Sequence, residues 1–314
     1  MNDQYPEDFG SIIELMDYFN TEEKCIKYHQ HRRWGSNTCC PRCDHEKVYS
    51  FSDGKTFKCA KCRKQFNVRT GTIFEDSKIS LRKWFIAIYL ITSHKKGISS
   101  HQLGRDINVT QKTAWFMLHR IRFQLGMDND PDEIIEGVVE VDETFIGGKN
   151  KNRHKDKKVE KCQGRSFKDK TPVLGLFNRS TGRVKTFAIS NTRGATIKPI
   201  LFRIVRKGSV IISDEWQAYR GIDKYYDHYY VNHASKQYAD GDIYTNNIEG
   251  FWTWIKRMIM GVYHNISRKH IQSYANEATF RFNSRSVNKG FGLSFMLSSF
   301  SPGKLGYKSL IFGL

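Results

Sequence analysis

The spacing of apolar residues predicts a largely helical first third of the chain. From Leu81 onward, apolar side chains recur every three or four residues, which predicts a helix capped by Ser80. Two further helices with the same period begin near Ser100 and Gln111. Upstream, residues 12–28 predict one N-terminal helix. The interval between these helices is rich in cysteine and polar residues and predicts a separate small structure.

Extended patterns dominate the middle of the chain. Apolar runs bounded by glycine or polar turns are typical of strands, and a helical period lies between two of them. The predicted strands are 137–148, 172–178, 184–190 and 209–213, with a helix at about 196–205 before the last. A further helix starts at Thr245 or Asn246. Strands mixed with helices predict an α/β core in this part of the chain.

Charge then narrows the class of partner. The chain has 314 residues with 51 Lys and Arg against 32 Asp and Glu, a formal net charge of +19. Such an excess indicates a polyanionic partner, with nucleic acid as the first candidate and an anionic membrane surface as the second. The longest apolar run, residues 84–91, is far shorter than the roughly 20 residues of a membrane span. The first ten residues are polar and acidic, unlike a secretory signal. We therefore expect a cytoplasmic protein.

Two cysteine pairs predict a zinc ribbon over residues 34–70. Cys40 and Cys43 form one CxxC turn, Cys59 and Cys62 form the other, and fifteen residues separate the pairs. Two such turns on neighbouring hairpins direct four thiolates at one Zn²⁺ ion and leave no open position for catalysis. Short strands flanking the turn at 53–54 complete this prediction.

The remaining three cysteines receive other interpretations. Cys39 directly precedes the first ligand and competes with it, but only Cys40 reproduces the spacing of the second pair. Cys25 and Cys162 have no partner at metal-binding spacing, so both are expected to be free thiols.

The three helices over residues 78–130 suggest a helix-turn-helix domain for DNA binding. Thr110 is placed to cap the third helix, and a short turn separates that helix from the second. In such a domain, Gln111, Lys112 and Thr113 would meet base edges in the major groove. The alternative is a plain helical bundle that links two domains.

Three separated carboxylates suggest a site for a divalent metal. Asp142 lies inside the first predicted strand, with Glu140 on the same face at the period of a strand. Asp214 follows directly after the last predicted strand, and Glu249 lies on the helix that follows. Lys256 comes two helical turns after Glu249 and would hold a phosphate. Hard oxygen ligands of this kind suit a pair of Mg²⁺ ions acting on a phosphodiester.

The order of motifs resembles bacterial insertion-sequence transposases related to eukaryotic Merlin elements. Besides the two cysteine turns, the motifs that carry this resemblance are VEVDETFIGG, SDEWQAYRG, VNHASKQYADGDIYTNNIEGFWTWIKR and SRKHIQSYANEATFRFNSR. The resemblance implies a multi-domain fold, with a zinc ribbon and helix-turn-helix followed by an α/β RNase H-like (retroviral-integrase-like) catalytic core at 135–290. The segments 1–33, helical, and 291–314, a C-terminal tail, flank these domains.

The resemblance also assigns the catalytic residues. It makes Asp142, Asp214 and Glu249 the ligands of Mg²⁺ or Mn²⁺, with Lys256 as the trailing basic residue. Asn246, one helical turn earlier, is the competing third ligand, because parts of the family are described with Asn there. Two auxiliary candidates remain open: Glu140, as a further ligand or an ion-pair partner, and His233, as an orienting or structural histidine.

A basic insertion over residues 149–170 follows the first catalytic strand. It carries ten Lys and Arg against three acidic residues, so it cannot form a core of its own. One interpretation is a flexible arm that binds DNA phosphates near the site, and the alternative is a solubilising loop. The residues expected to bind DNA are Lys149, Lys151, Arg153, Lys157 and Lys158.

The sequence therefore predicts a bacterial, nucleoid-associated DNA transposase that cuts 3′ ends and joins them to target DNA. Its expected partners are double-stranded DNA, both element ends and target, and further copies of the chain in a homodimer or larger assembly. Two rivals remain: a domesticated DNA-binding regulator, and an RNase H-like nuclease without strand transfer.

Overall fold

The chain divides into two compact units. The computed structural model describes residues 5–6, 8–147, 154–158, 169–214, 217–231, 244–287, 291–298 and 306–312. Unit 1 combines residues 1–125 with residues 286–313, and unit 2 spans residues 126–285. None of the helices in the described ranges has the length and apolar character needed to cross a bilayer.

Unit 1 is mainly helical, with a small sheet inserted near its start. Its helices are α1 Ile12–Tyr18, α2 Glu22–Trp34, α3 Leu81–Ser93, α4 Ser100–Asp106, α5 Gln111–Leu125, α9 Phe291–Ser298 and α10 Tyr307–Phe312. Its strands are β1 Val48–Ser50, β2 Thr56–Cys59 and β3 Gln65–Asn67, paired antiparallel in that order. The tail of the chain thus returns to the unit that contains the N-terminus.

The prediction of one N-terminal helix over residues 12–28 is wrong. Helix α1 ends at Tyr18, and α2 begins after Thr21, whose side-chain oxygen accepts the backbone N–H of Lys24 at 3.3 Å. Glu22 and Glu23 follow in the first turn, where negative charge favours a helix N-terminus. Thr21 therefore starts a new helix within the polar run at residues 20–24.

The predicted caps of the next helices are confirmed. Ser80 accepts the N–H of Lys83 at 3.4 Å, and Thr110 accepts the N–H of Thr113 at 3.2 Å. Residues 107–110 connect α4 to α5, and Gly104 of α4 lies against this turn. A Cβ atom at Gly104 would approach the Val109 carbonyl oxygen to 3.0 Å, so the close approach favours glycine.

Unit 2 is built around a five-stranded mixed sheet. Its elements are β4 Val138–Gly147, β5 Lys170–Asn178, β6 Arg183–Ala188, α6 Gly194–Ile204, β7 Val210–Asp214, β8 Asp227–Val231, α7 Asn246–Met258 and α8 Ile271–Asn283. The strand order is β6-β5-β4-β7-β8. Strands β4, β5 and β6 pair antiparallel, whereas β7 pairs parallel with both β4 and β8. The sequence pattern did not predict β8, a polar edge strand.

Each face of this sheet has its own hydrophobic core. On one face, Val139 and Val141 of β4 pack with Ile197 and Leu201 of α6. On the other face, side chains of α7 and α8 form a second cluster with residues of β5 and β6. Since successive side chains of a strand alternate, Glu140, Asp142 and Thr144 face the side of α7. The polar residues of β4 are thereby directed toward the helix that carries Glu249.

Helix α7 ends in an unusual turn. A π-helical segment, Ile259–Tyr263, continues it. His264 then adopts φ 56° and ψ −51°, and the N–H of Asn265 donates to the Tyr263 carbonyl at 2.5 Å. This is a γ-turn with positive φ, a strained conformation for a residue with a Cβ atom.

Candidate active site

Asp142 and Asp214 lie at the same level of two adjacent parallel strands. Their ladder aligns Val138 with Val210 and Glu140 with Ile212. Asp142 and Asp214 keep the same offset and each lie two residues beyond the last of these pairs. Aligned residues of parallel neighbours project from the same face of a sheet, about 4.8 Å apart along the hydrogen-bonding direction. The two carboxylates therefore lie near the carboxyl end of the parallel pair, where α/β sheets usually place their sites, and the charge of Asp214 acts on Asp142.

Glu249 supplies a third carboxylate from α7. Its side chain is exposed, and its Oε1 atom accepts a hydrogen bond from the Thr245 hydroxyl at 3.1 Å. The negative charge of Glu249 also acts on Asp142, as the electrostatics of that residue show. Asn246 and Lys256 are exposed on the same helix, at its first position and in its last turn. Helix α7 therefore brings Glu249 within electrostatic reach of the strand carboxylates.

The environment of Asp142 opposes its ionisation. Burial is the largest cause, and the negative charges of Asp214 and Glu249 add to it, so the pKa of Asp142 rises to about 6. Hydrogen bonds from the Glu143 backbone N–H and the Trp252 indole act in the opposite direction. The indole Nε1 lies 2.9 Å from Asp142 Oδ2. A cation placed among these carboxylates would relieve their repulsion.

Glu140 is fully buried and holds the start of α7. Its carboxylate accepts the backbone N–H groups of Asn247 at 3.1 Å and Ile248 at 3.0 Å, and the Asn247 side-chain amide at 2.7 Å. Arg179 donates to the same carboxylate at 2.7 Å and stacks 3.8 Å from the ring centroid of Tyr244. The ion-pair partner of Glu140 is thus an arginine, and its oxygens are occupied by α7.

Glu143 faces the other side of the sheet. The hydroxyl of the buried Tyr219 donates to its carboxylate at 2.5 Å. Burial raises the pKa of Tyr219 well above its usual value, and the charges of Glu143, Asp142 and Asp214 contribute. Tyr219 therefore stays protonated beside the carboxylates, a contact that the sequence pattern did not indicate.

Four cysteine sulfurs in unit 1 form a metal-binding cluster. The sulfurs of Cys40, Cys43, Cys59 and Cys62 all lie within 4.8 Å of one another. In the described parts of the chain, no other group of three or more His, Cys, Asp and Glu side chains brings its ligand atoms so close. Two of the distances, Cys40 to Cys62 and Cys43 to Cys59, are 3.7 and 3.6 Å. A tetrahedron with Zn–S bonds of about 2.3 Å has sulfurs about 3.8 Å apart, so the cluster fits Zn²⁺.

The two cysteine turns have the same backbone geometry. The N–H of Cys40 donates to the His45 carbonyl, and the N–H of Asp44 donates to the Cys40 carbonyl. In the second turn, the N–H of Cys59 donates to the Lys64 carbonyl, and the N–H of Arg63 donates to the Cys59 carbonyl. Asp44 and Arg63 share positive φ values of 53° and 60°. This repeat presents the two pairs of sulfurs to one point.

The other cysteines lie outside this cluster where they are described. Cys39 is half-buried and is not among the clustered thiols. Cys25 is fully buried in α2, and burial raises the pKa of its thiol to about 12, which makes it unreactive. Cys162 lies outside the described residues.

The predicted DNA-binding residues are only partly described. Gln111 and Lys112 are exposed at the start of α5, Thr113 is half-buried, and the Gln111 amide donates to the Ser100 hydroxyl at 2.8 Å. Lys158 is exposed. The residues that lie outside the described ranges are Lys149, Lys151, Arg153 and His233, together with the side chain of Lys157.

Comparison with known proteins identifies two related domains. Residues 134–283 match the ISXO2-like transposase domain, and residues 20–65 match the transposase zinc-ribbon domain. An uncharacterized protein in transposable element ISH50 of Halobacterium salinarum is 28% identical over 267 residues, or 82% of this chain and 89% of that protein. An uncharacterized transposase-like protein of Haemophilus influenzae is 29% identical over 106 residues, or 33% of this chain and 85% of that protein. The two domain matches include, respectively, all three carboxylates and all four clustered cysteines.

Proposed function

Since this chain carries an ISXO2-like transposase domain behind a transposase zinc ribbon, we propose that it is a transposase that cuts and joins DNA. It binds the ends of its insertion sequence, cleaves the 3′ ends, and transfers them to target DNA. The cleavage step uses water as the nucleophile, and the joining step uses the freed 3′-OH. Both are in-line displacements at a phosphodiester, so one site serves both.

The observation that supports this proposal is that Asp214 and Glu249 both lie near enough to Asp142 for their negative charges to act on it. Both other carboxylates raise the pKa of Asp142, which indicates a concentrated negative field. Three hard oxygen donors in such a field suit Mg²⁺ or Mn²⁺. When bound, these ions would supply charge stabilisation for the attacking and leaving oxygens. Lys256, exposed in the last turn of α7, holds a phosphate of the DNA by its point charge.

Glu249 is the third ligand in this proposal. It is the side chain of α7 whose charge acts on Asp142, and a carboxylate binds Mg²⁺ more strongly than an amide does. Asn246 is exposed at the first position of α7. We assign Glu140 to a structural role, because the N-terminus of α7 and Arg179 occupy its carboxylate.

Unit 1 is proposed to recognise DNA. The pair α4 and α5, joined by a four-residue turn, serves as the helix-turn-helix, and Gln111, Lys112 and Thr113 stand at the start of its second helix. The zinc ribbon stabilises the adjoining part of the unit. The mixed sheet of unit 2 supports the assignment of an RNase H-like core, and the insertion at 149–170 is the proposed arm for DNA phosphates. Pairing of two element ends requires a dimer or larger assembly.

The test is metal-dependent cleavage and strand transfer on DNA that carries the element's ends. We would compare the wild type with Asp142→Asn, Asp214→Asn, Glu249→Gln and Asn246→Ala. The proposal expects the first three variants to bind DNA but neither cut nor join, and Asn246→Ala to retain activity. The reverse result for Glu249 and Asn246 would move the third ligand by one helical turn.

Two outcomes with the wild type would replace the proposal. Binding without cleavage in Mg²⁺ or Mn²⁺ would make the chain a DNA-binding regulator. Cleavage without joined product, when pre-cut ends are supplied, would make it a nuclease. Light scattering that shows a monomer on paired ends would contradict the proposed assembly.

A further inference from the structure

We propose that Trp252 is a positioning residue that fixes the Asp142 carboxylate for metal binding. The inference rests on the proposed function, because it concerns the same divalent-metal site. Trp252 is 3% exposed, and its indole Nε1 donates to Asp142 Oδ2 at 2.9 Å. A hydrogen bond from a buried ring restricts the rotation of the carboxylate about its side-chain torsions.

The surrounding fold makes room for this indole by means of one glycine. Gly175 of β5 lies directly opposite Asp142 in the antiparallel ladder. A Cβ atom at Gly175 would lie 2.5 Å from Cζ2 of Trp252 and 2.8 Å from Cδ1 of Ile248. Any other residue at position 175 would displace the ring. The absence of a side chain at position 175 therefore leaves room for the Trp252 indole against this face of the sheet.

The hydrogen bond also connects the two elements that carry Glu249 and Asp142. Trp252 lies three residues after Glu249 on α7, so the two side chains are neighbours on the helix surface. Asp142 lies on β4. The contact thus sets the distance between the helix that carries one carboxylate and the strand that carries another. Glu140 holds the start of the same helix, and Trp252 holds it one turn further along.

An indole has the right chemistry for this task. It donates one hydrogen bond, accepts none, and does not ionise, so it keeps the same bond in every protonation state of its partner. Its ring packs with Ile248 and Phe251 in the core on this face of the sheet. Partners that orient a metal ligand typically contribute 10- to 100-fold to metal affinity.

The test uses Trp252→Phe in the full-length protein, with Trp254→Phe as the matched control. Trp254 is a half-buried ring on the same helix and packs against Phe282. Mn²⁺ binding is measured by electron paramagnetic resonance, beside DNA binding. We expect Trp252→Phe to raise the Kd for Mn²⁺ by about 10- to 100-fold with DNA binding unchanged. Trp254→Phe is expected to bind Mn²⁺ like the wild type.

Asp142→Asn separates this inference from the proposed function. If Asp142→Asn loses Mn²⁺ binding and Trp252→Phe does not, the role of Trp252 is refuted and the metal site stands. If neither variant changes Mn²⁺ binding, the proposed metal site itself is wrong.

A second measurement does not depend on the folding of Trp252→Phe. The ¹⁵N–¹H resonance of the Trp252 indole is followed in the wild type and in Asp142→Asn. We expect this resonance to move when the acceptor loses its charge and when Mg²⁺ is added, whereas the Trp254 resonance stays in place. A Trp252 resonance that responds to neither change overturns the inference.

Discussion

The Oε2 atom of Glu140 accepts the backbone N–H of Ile248 at 3.0 Å and thereby caps α7 from a neighbouring strand. The first N–H groups of a helix have no partner within it, and the side chain of Thr245 makes no capping bond to the backbone. Ile248 directly precedes Glu249. The position of Glu249 therefore depends on Glu140. Glu140 lies on the same strand as Asp142, two residues before it.

Removal of the Glu140 carboxylate should destabilise unit 2 strongly. Glu140→Ala leaves the guanidinium of Arg179 and two helix N–H groups without this partner in a buried environment. We expect a loss of about 3–5 kcal/mol in the free energy of unfolding, measured by urea denaturation. The control is Glu136→Ala, which breaks an exposed ion pair with Arg206 and should cost less than about 1 kcal/mol. Equal losses in the two variants would contradict the capping role.

Neutralising Asp142 should stabilise the protein in the absence of divalent ions. Its pKa is about 6 in the folded protein, above the usual value of 3.8 for an aspartate, so the folded state retains a proton that the unfolded state loses. Asp142 therefore makes its full contribution to the free energy of unfolding below about pH 4, and this contribution is lost as the pH rises to about 6. At pH 7 and without added Mg²⁺ or Mn²⁺, we expect Asp142→Asn to gain up to about 3 kcal/mol.

The pH dependence supplies the control for that gain. At pH 4 the wild-type carboxyl is protonated, and the two proteins should unfold at nearly the same urea concentration. A variant less stable than the wild type at pH 7 would contradict the electrostatic argument.

The choice between adjacent cysteines can be tested by zinc content. Cys40→Ser removes a clustered thiolate, so the purified protein should lose its zinc and part of the circular dichroism of unit 1. Cys39→Ser should retain one zinc ion per chain by mass spectrometry. Zinc lost from Cys39→Ser and kept by Cys40→Ser would reverse the assignment.

The γ-turn at His264 should store strain that glycine relieves. Positive φ is costly for a residue with a Cβ atom, typically by 1–3 kcal/mol, whereas glycine adopts it readily. Part of the gain is offset by the greater entropy of glycine in the unfolded chain. We expect His264→Gly to raise the free energy of unfolding by about 1 kcal/mol. His264→Ala removes the imidazole but keeps Cβ, so its stability should not increase.

The local parts of this fold were readable from the sequence. The caps at Ser80 and Thr110 and the strand that contains Asp142 depend on residues close in the chain, and the structure has them where the pattern predicts. The start of α2 was also encoded, by Thr21 and the two glutamates after it. The prediction of one helix over residues 12–28 overlooked the five polar residues at 20–24 that mark this boundary.

Features that depend on contacts between residues far apart in the chain cannot be predicted in the same way. The alignment of Asp142 with Asp214 depends on strand register, which no local pattern specifies. Glu140 has the spacing of a metal ligand, yet its oxygens cap a helix more than a hundred residues away. The sequence pattern predicts that Trp252 is a core residue, and Trp252 is buried in the structure. Its N–H bond to Asp142 depends on the glycine opposite, on another strand.

Unit 1 can finish folding only after residues 286–313 have been synthesised, because these residues belong to it. Helix α9 packs so closely against α3 that a Cβ atom at Gly292 would clash with the Thr92 side chain, and Ser298 accepts a hydrogen bond from Arg32 of α2 at 2.9 Å. On the ribosome, α2 and α3 emerge early, and α9 can cover them only after unit 2 has been synthesised. A chain truncated after residue 285 would carry every proposed catalytic carboxylate. Its unit 1 would lack α9, which packs against α2 and α3.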